Sequence, residues 1–439
     1  MTFRYGDRLF PFDQFDLKFN RPDKVMQSIG LASPEIVAAY ERAYQKRLKR
    51  MNFTDDMLGD DFHVPEIAVN VPPILTTPEK SLKLQVKGSD SKYLLDRLHI
   101  DVNGVPLHGS GGISLRKQAS KTSEQEIEVE LSAGKNKINV SVLNEKGAES
   151  LKETIPITYD APPRKPNLYV VAIGVSDYQD ARFRLTYADK DARDLADMFE
   201  SKRDRFGEVK VLPILNRDAT RENILKAKDF LKASQVDDLV VLFFAGHGLL
   251  DSKLDYYFGT VDIDFSSPAK RGLPYEAIED LLDGIRARKK LLLMDTCHSG
   301  ELDKEDIQVV QAEKQPKDEI KIRTIRGQLE RVIAPKVGLG NSYQLLQEMF
   351  ADLRRGTGAV VIASAGGAEY ALESETWKNG VFTYALLRGL KGEADRNRDG
   401  HVQVSELRDF VEQEVRRLTN GRQSPTARRE NLELDFTID

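Results

Sequence analysis

The sequence predicts an α/β protein: a mainly parallel sheet covered by helices, preceded by a small β-sandwich and a short aromatic segment with two helices. Three observations carry this. From Leu168 onward, continuous apolar runs alternate with helical patterns; strands covered on both faces read as apolar throughout, and helices do the covering. Between residues 66 and 160, apolar and polar residues alternate instead, the signature of strands buried on one face. Before residue 66, aromatic residues crowd a stretch too short to enclose them.

The chain has 439 residues, 40% hydrophobic and 31% charged. That is room for two to four domains of ~100–200 residues and the balance of an ordinary folded protein. With 65 Lys+Arg against 70 Asp+Glu, the net charge is −5. A non-specific nucleic-acid binder would need a basic surplus, so no nucleic-acid partner is expected. No apolar stretch approaches the ~20 residues of a membrane span, and MTFRYGDRLF lacks the apolar core of a signal peptide. The single cysteine, Cys297, excludes an internal disulfide and a multi-thiolate zinc site. A reducing, cytoplasmic setting without membrane association is the expectation.

Residues 1–65 form the first segment. Phe3, Tyr5, Phe10, Phe12, Phe15 and Phe19 open it, and helical patterns follow over about 22–30 and 34–50. In the second, Ile36, Ala39, Tyr40, Ala43 and Leu48 recur at helical spacing and basic residues end the run, as a helix C-terminus favours. These aromatics should pack on the rest of the chain or on a partner. Residues 66–160 hold the alternating runs Leu82–Val86, Leu98–Val102, Ile127–Leu131 and Ile138–Val142, separated by turns such as Asn103-Gly104 and Ala133-Gly134. This spacing predicts an immunoglobulin-like sandwich in architecture, without its cysteine pair. A Pro-rich linker follows Asp160. The strand-like runs LYVVAIGV, VKVLPIL, DLVVLFFAG, KKLLLMDT and GAVVIAS then alternate with helical patterns near 188–200, 220–233, 275–285, 381–390 and 404–417.

DLVVLFFAGHG places His247, and KKLLLMDTCHSG places Cys297, just past the ends of two apolar strands. Open α/β sheets bind ligands outside the carboxyl ends of their strands. A thiol needs a base or a cation beside it to act as a nucleophile at neutral pH, and an imidazole supplies one. Gly248 can bring its N–H close to a developing oxyanion, with the Cys297 N–H as second donor. His298 is the alternative base, in a less favourable position because it adjoins Cys297 along the chain. Singly, either residue reads more readily as a buried thiol or a satisfied imidazole. Together, in AGHG and DTCHSG, they point to a catalytic pair.

The motifs YVVAIGVSDY, YADKDARDL, VVLFFAGHG, LLLMDTCHSG, VVIASAGGAEYALE, NGVFTYALLRGL and the late Gln423-Ser-Pro425 occur in order. On them, residues 167–439 resemble the caspase and metacaspase superfamily of cysteine peptidases. The resemblance implies a caspase-like α/β/α sandwich and thiol-dependent peptide hydrolysis, with His247 as general base, Cys297 as nucleophile and no cofactor in the chemistry. Residues 1–160 resemble segments that precede such domains in bacterial multidomain caspase-like proteins, and would position, mask or signal to the peptidase.

Caspases carry Gln two residues before the nucleophile; Asp295 stands there in this chain, as in metacaspases. A carboxylate there would pair with a basic P1 side chain and repel an acidic one. Asp191 falls where metacaspases place a second pocket carboxylate, or is a solvated charge on a helix. Ser364, Ala365 and Gly366, with Gly367, lie in the stretch that pairs with the substrate backbone in this superfamily. Cleavage after Arg or Lys is the expectation.

Residues 395–406, DRNRDGHVQVSE, meet the pattern of a calcium-binding loop: Asp395, Asn397, Asp399 and Glu406 supply oxygens, Gly400 the turn and His401 a backbone carbonyl. An ion-free Asp/Asn/Gly turn is the competing reading. Asp262 and Asp264 are candidates for a second acidic site. The mixed-charge insertion 301–340 carries Lys304, Lys314, Lys317, Lys321, Arg323, Arg326, Arg331 and Lys336, which a pocket for basic P1 residues could cut in the chain itself; a solvated loop is the plainer reading. The function expected is therefore a cysteine endopeptidase acting on protein or peptide, with Ca²⁺ as the one ion to test. A non-enzymatic scaffold and a transpeptidase using the same pair are the alternatives.

Overall fold

The computed structural model describes residues 2–5, 7–30, 32–70, 76–162, 164–253, 255–298, 320–322, 357–364, 372–428 and 435–438. The chain divides into two compact units, Met1–Pro163 with Asp352–Gly358, and Arg164–Ala351 with Ala359–Asp439.

In the first unit a hairpin pairs Thr2–Tyr5 with Arg8–Pro11, and helices span Pro22–Ile29 and Pro34–Arg50. Both helices begin on proline, whose missing N–H has no partner to lose there. Two sheets follow. One joins Glu66–Asn70, Ser81–Ser89 and Thr122–Glu130. The other runs through Thr76–Thr77, Glu153–Tyr159, Gly134–Asn144, Leu95–Val102 and Val105–Pro106. Alternate residues turn inward and enclose one core, including Leu84, Val86 and Val129 from the first sheet and Ile138, Val140 and Val142 from the second. The aromatic segment covers its own apolar surface on this body: Phe10 and Phe15 pack with Ala148, and Tyr44, Leu48 and Phe53 with Leu143.

The second unit is built on strands β1 (Leu168–Gly174), β2 (Val209–Leu215), β3 (Leu239–Leu250), β4 (Lys289–His298), β5 (Val360–Ala363) and β6 (Thr426–Arg428), in the order β2-β1-β3-β4-β5-β6. The first five are parallel; β6 joins the edge antiparallel. All of β1 is buried, and so is β3 up to its last residue, as helices on both faces require. The helices are α1 (Ala188–Glu200), α2 (Arg221–Lys232), α3 (Tyr275–Leu282), α4 (Val381–Arg388) and α5 (Val404–Leu418). Leu195 and Phe199 of α1, Phe382 and Leu386 of α4, and Leu407 and Val411 of α5 share a core with Val170, Val241, Phe243 and Leu293. Residues of opposite parity meet the other helices: Tyr169 packs on Phe230 of α2, and Lys290 reaches the end of α3.

The structure corrects one placement. His247 and Cys297 do not lie past their strands; β3 continues to Leu250 and β4 to His298. An added antiparallel segment, Tyr256–Phe258, pairs with Gly248–Leu250 and sustains the longer strand. That short hairpin and β6 carry too few residues to show a period in sequence.

Candidate active site

The neighbouring parallel strands β3 and β4 are in a register that sets His247 opposite Cys297 and Gly248 opposite His298. Adjacent strands lie ~4.8 Å apart, so positions 50 residues distant in sequence become lateral neighbours.

The His247 ring is fully buried. Its Nε2 donates to the Phe183 carbonyl at 2.9 Å. A carbonyl can only accept, so Nε2 holds the proton and Nδ1 is the basic nitrogen. Aromatic rings surround the imidazole: Tyr178 at 5.0 Å and Phe265 edge-on at 5.5 Å, with Phe183 stacked on Phe265 at 3.8 Å. These rings exclude water and hold one ring orientation. The sequence had no means of naming Phe183, because the group that acts is its backbone carbonyl.

Asp295, in β4, is fully buried, and its Oδ2 accepts from the Thr383 hydroxyl at 2.6 Å. Asp191, in α1, is equally buried. Its Oδ1 accepts from the Asn379 amide at 2.9 Å, and both its oxygens from the Gly380 N–H at 3.1 and 3.2 Å. Gly380 precedes α4 and Thr383 lies in its first turn. The two carboxylates are thus brought to the amino end of one helix, where negative charge is favoured. Asp191 is no solvated surface charge. Ser364 donates through Oγ to the Thr296 carbonyl at 3.1 Å, the residue before Cys297. Gln423 is fully buried; it donates to the Ser364 carbonyl at 2.7 Å and accepts from the Leu372 N–H at 3.0 Å. Ala365, Gly366 and Gly367 lie outside the described residues.

A model of the caspase domain matches residues 168–437, more than half of the chain. The chain belongs to the caspase domain family. No curated protein matches it. Among solved structures, it is similar to a Geobacter sulfurreducens protein solved as a structural genomics target, at 18% identity and a TM-score of 0.40 over 60% of this chain and 93% of that one. It is also similar to the fibronectin(III)-like modules of Clostridium thermocellum CbhA, at 17% identity and a TM-score of 0.16 over 22% of this chain and 100% of that one.

Outside the His247 region, the caspase domain holds the other candidate residues as follows. In the 395–406 loop, Asp395 accepts from the Asp399 and Gly400 N–H groups at 3.2 and 2.9 Å. Asp399 accepts from the His401 N–H at 2.9 Å and the Asn397 amide at 3.0 Å. Glu406 accepts from the Arg396, Asn397 and Gln403 N–H groups, the last completing a capping box on α5. Gly400 has φ +83, which glycine adopts readily. His401 Nδ1 lies 3.5 Å from Arg205. Among the described residues, no three His, Cys, Asp or Glu side chains stand together as a metal would need. Asp264 is held to about 2 by bonds from Ser266 and Lys270, and Asp262 lies 3.8 Å from Arg271. Within the 301–340 insertion, Ile320–Ile322 pairs antiparallel with Leu372–Ser374; the rest of it lies outside the described residues.

Proposed function

We propose that this chain is a cysteine endopeptidase of metacaspase type, cutting proteins or peptides after Arg or Lys. The observation that supports it most is the register of β3 and β4, which pairs His247 with position 297, while the Phe183 carbonyl takes the proton-bearing Nε2 and leaves Nδ1 as the other ring nitrogen. The Cys297 thiol gives its proton to His247 Nδ1, and the thiolate attacks the scissile carbonyl carbon. The Gly248 and Cys297 N–H groups receive the oxyanion. His247 returns the proton to the leaving amine, and water then hydrolyses the thioester with His247 again as base. No cofactor is needed for these steps.

Asp295 and Asp191 select the P1 side chain in this reading. Both are fully buried at the amino end of one helix, and a guanidinium or ammonium is the P1 group with which a carboxylate pairs. Ser364, Ala365 and Gly366 run beside the substrate backbone. The 301–340 insertion is the proposed site of self-cleavage. Residues 1–160, read as an immunoglobulin-like module with N-terminal helices, would receive a regulatory protein or sensor. Ca²⁺ is the proposed occupant of the 395–406 loop, where it would draw Asp395, Asn397, Asp399 and Glu406 away from the backbone bonds they now make, with the His401 carbonyl as a further ligand. A bacterial, cytoplasmic setting completes the reading. Among the described residues no helix is long and apolar enough to cross a membrane.

Matched fluorogenic peptides ending in Arg, Lys or Asp, with and without Ca²⁺, test this. Wild type should cut after Arg and Lys, and His247→Ala and Cys297→Ala should each lower kcat by more than roughly 10³-fold. Cleavage after Asp would reject the pocket. Complete silence toward both peptides and a thiol-reactive peptide probe would favour the scaffold.

A further inference from the structure

Gly248, Leu249 and Leu250 of β3 face Phe258, Tyr257 and Tyr256 in an antiparallel ladder. One step further along, His247 meets Gly259. In a hydrogen-bonded antiparallel pair the two residues exchange both N–H···O bonds. Here one is direct: the Gly259 N–H donates to the His247 carbonyl at 2.7 Å. The other is relayed. His247 N–H donates to the Tyr178 hydroxyl at 2.8 Å, and that hydroxyl donates to the Gly259 carbonyl at 3.3 Å.

Tyr178 is fully buried, and its oxygen occupies a space shaped for it. A Cβ on Gly246, whose φ is +154, would lie 2.8 Å from the hydroxyl oxygen, and one on Gly259 would lie 3.1 Å from the His247 carbonyl. The segment holding Tyr178 is pinned by the Gln179 N–H, which donates to the Val261 carbonyl at 3.0 Å. The same segment ends at Phe183, whose carbonyl holds the His247 ring. One short stretch therefore grips the imidazole at Nε2 and its main chain at N–H.

We infer that Tyr178 is a positioning residue for His247: its hydroxyl, wedged into the ladder, sets the main chain from which Nδ1 reaches toward position 297. This rests on the Cys–His reading above. Misplacing a base by a fraction of an ångström slows proton transfer while leaving substrate contacts alone.

The test compares the full chain as wild type, Tyr178→Phe and Tyr169→Phe. Peptide kcat and KM are measured, together with the rate of iodoacetamide alkylation of Cys297, the only cysteine in the chain. Tyr169 is the control: it is also buried, and its hydroxyl donates to the Ala233 carbonyl at 3.2 Å, away from His247. Tyr178→Phe should lower kcat and the alkylation rate at neutral pH by roughly tenfold to a hundredfold with KM within about twofold. Tyr169→Phe should change neither. Gly246→Ala, whose methyl group would displace the hydroxyl, is a second variant with the same expected loss. Unchanged kcat in both Tyr178→Phe and Gly246→Ala, or an equal loss in Tyr169→Phe, overturns the inference alone. A wild type that cuts no peptide and whose Cys297 reacts as an ordinary thiol overturns the Cys–His reading and this inference together, and wild type by itself reveals that case.

Discussion

At their carboxyl ends β3 and β4 bury His247, Asp295 and Thr296; at its amino end β4 buries Lys290. The carboxyl-end groups meet partners contributed by distant segments: the Phe183 carbonyl, the Thr383 hydroxyl and the Tyr256 hydroxyl, which donates to Thr296 at 3.0 Å. Lys290 donates to the carbonyl of Leu282, the last residue of α3, at 3.1 Å. The helix C-terminus favours its charge, but burial dominates and pulls its pKa down to about 7. Buried polarity at one end lies where the chemistry is proposed. At the other it costs stability and takes no part in the proposed chemistry.

Substitutions at the two ends should therefore separate activity from stability. After the losses expected on removing His247 or Cys297, the largest effect is expected at Asp295. Asp295→Asn keeps the shape and loses the charge, so kcat/KM for Arg and Lys peptides should fall about a hundredfold, while the melting temperature stays within a few degrees. An unchanged Arg/Lys preference would remove Asp295 from the pocket.

Gln423→Met comes next. It keeps the length but removes both bonds that tie the Ser364 carbonyl to the Leu372 N–H. Peptide kcat/KM should fall roughly tenfold, with alkylation of Cys297 nearly unaffected. Equal losses in both measurements would mean that the glutamine supports the nucleophile and not the substrate segment.

Lys290→Met should leave peptide cleavage unchanged and raise the melting temperature at pH 7 by roughly 5 °C, since a well-packed apolar side chain replaces a desolvated cation. The pH dependence has a definite sign. In the unfolded chain a lysine titrates at about 10.4, against about 7 in the fold. Between these values the unfolded chain binds more protons, so wild-type stability rises with pH across that window. Below it both states are protonated and the penalty is fully present. Denaturant titrations at pH 7 and 9 should show wild type gaining on Lys290→Met; parallel curves would mean that Lys290 is not the group responsible.

Much of the second unit could be read from local pattern. The helical stretch near 188–200 is Ala188–Glu200 in the structure, and that near 404–417 is Val404–Leu418. Long amphipathic runs between apolar strands leave few alternatives. The short elements escaped: Tyr256–Phe258 and β6 have three residues each, below the length at which a period shows.

Which residue types stand at the sheet's centre is legible in the chain itself, because strand and helix periods are set by side chains close along it. How these groups meet is settled by folding. The register of β3 against β4 joins positions that no local pattern relates. The Asp191–Asn379 contact spans 188 residues. The groups that orient His247 are the Phe183 carbonyl, which any residue type would carry, and a tyrosine hydroxyl 69 residues away in sequence. Hydrogen-bond partners of this kind are chosen by geometry, and geometry exists only once the chain is folded.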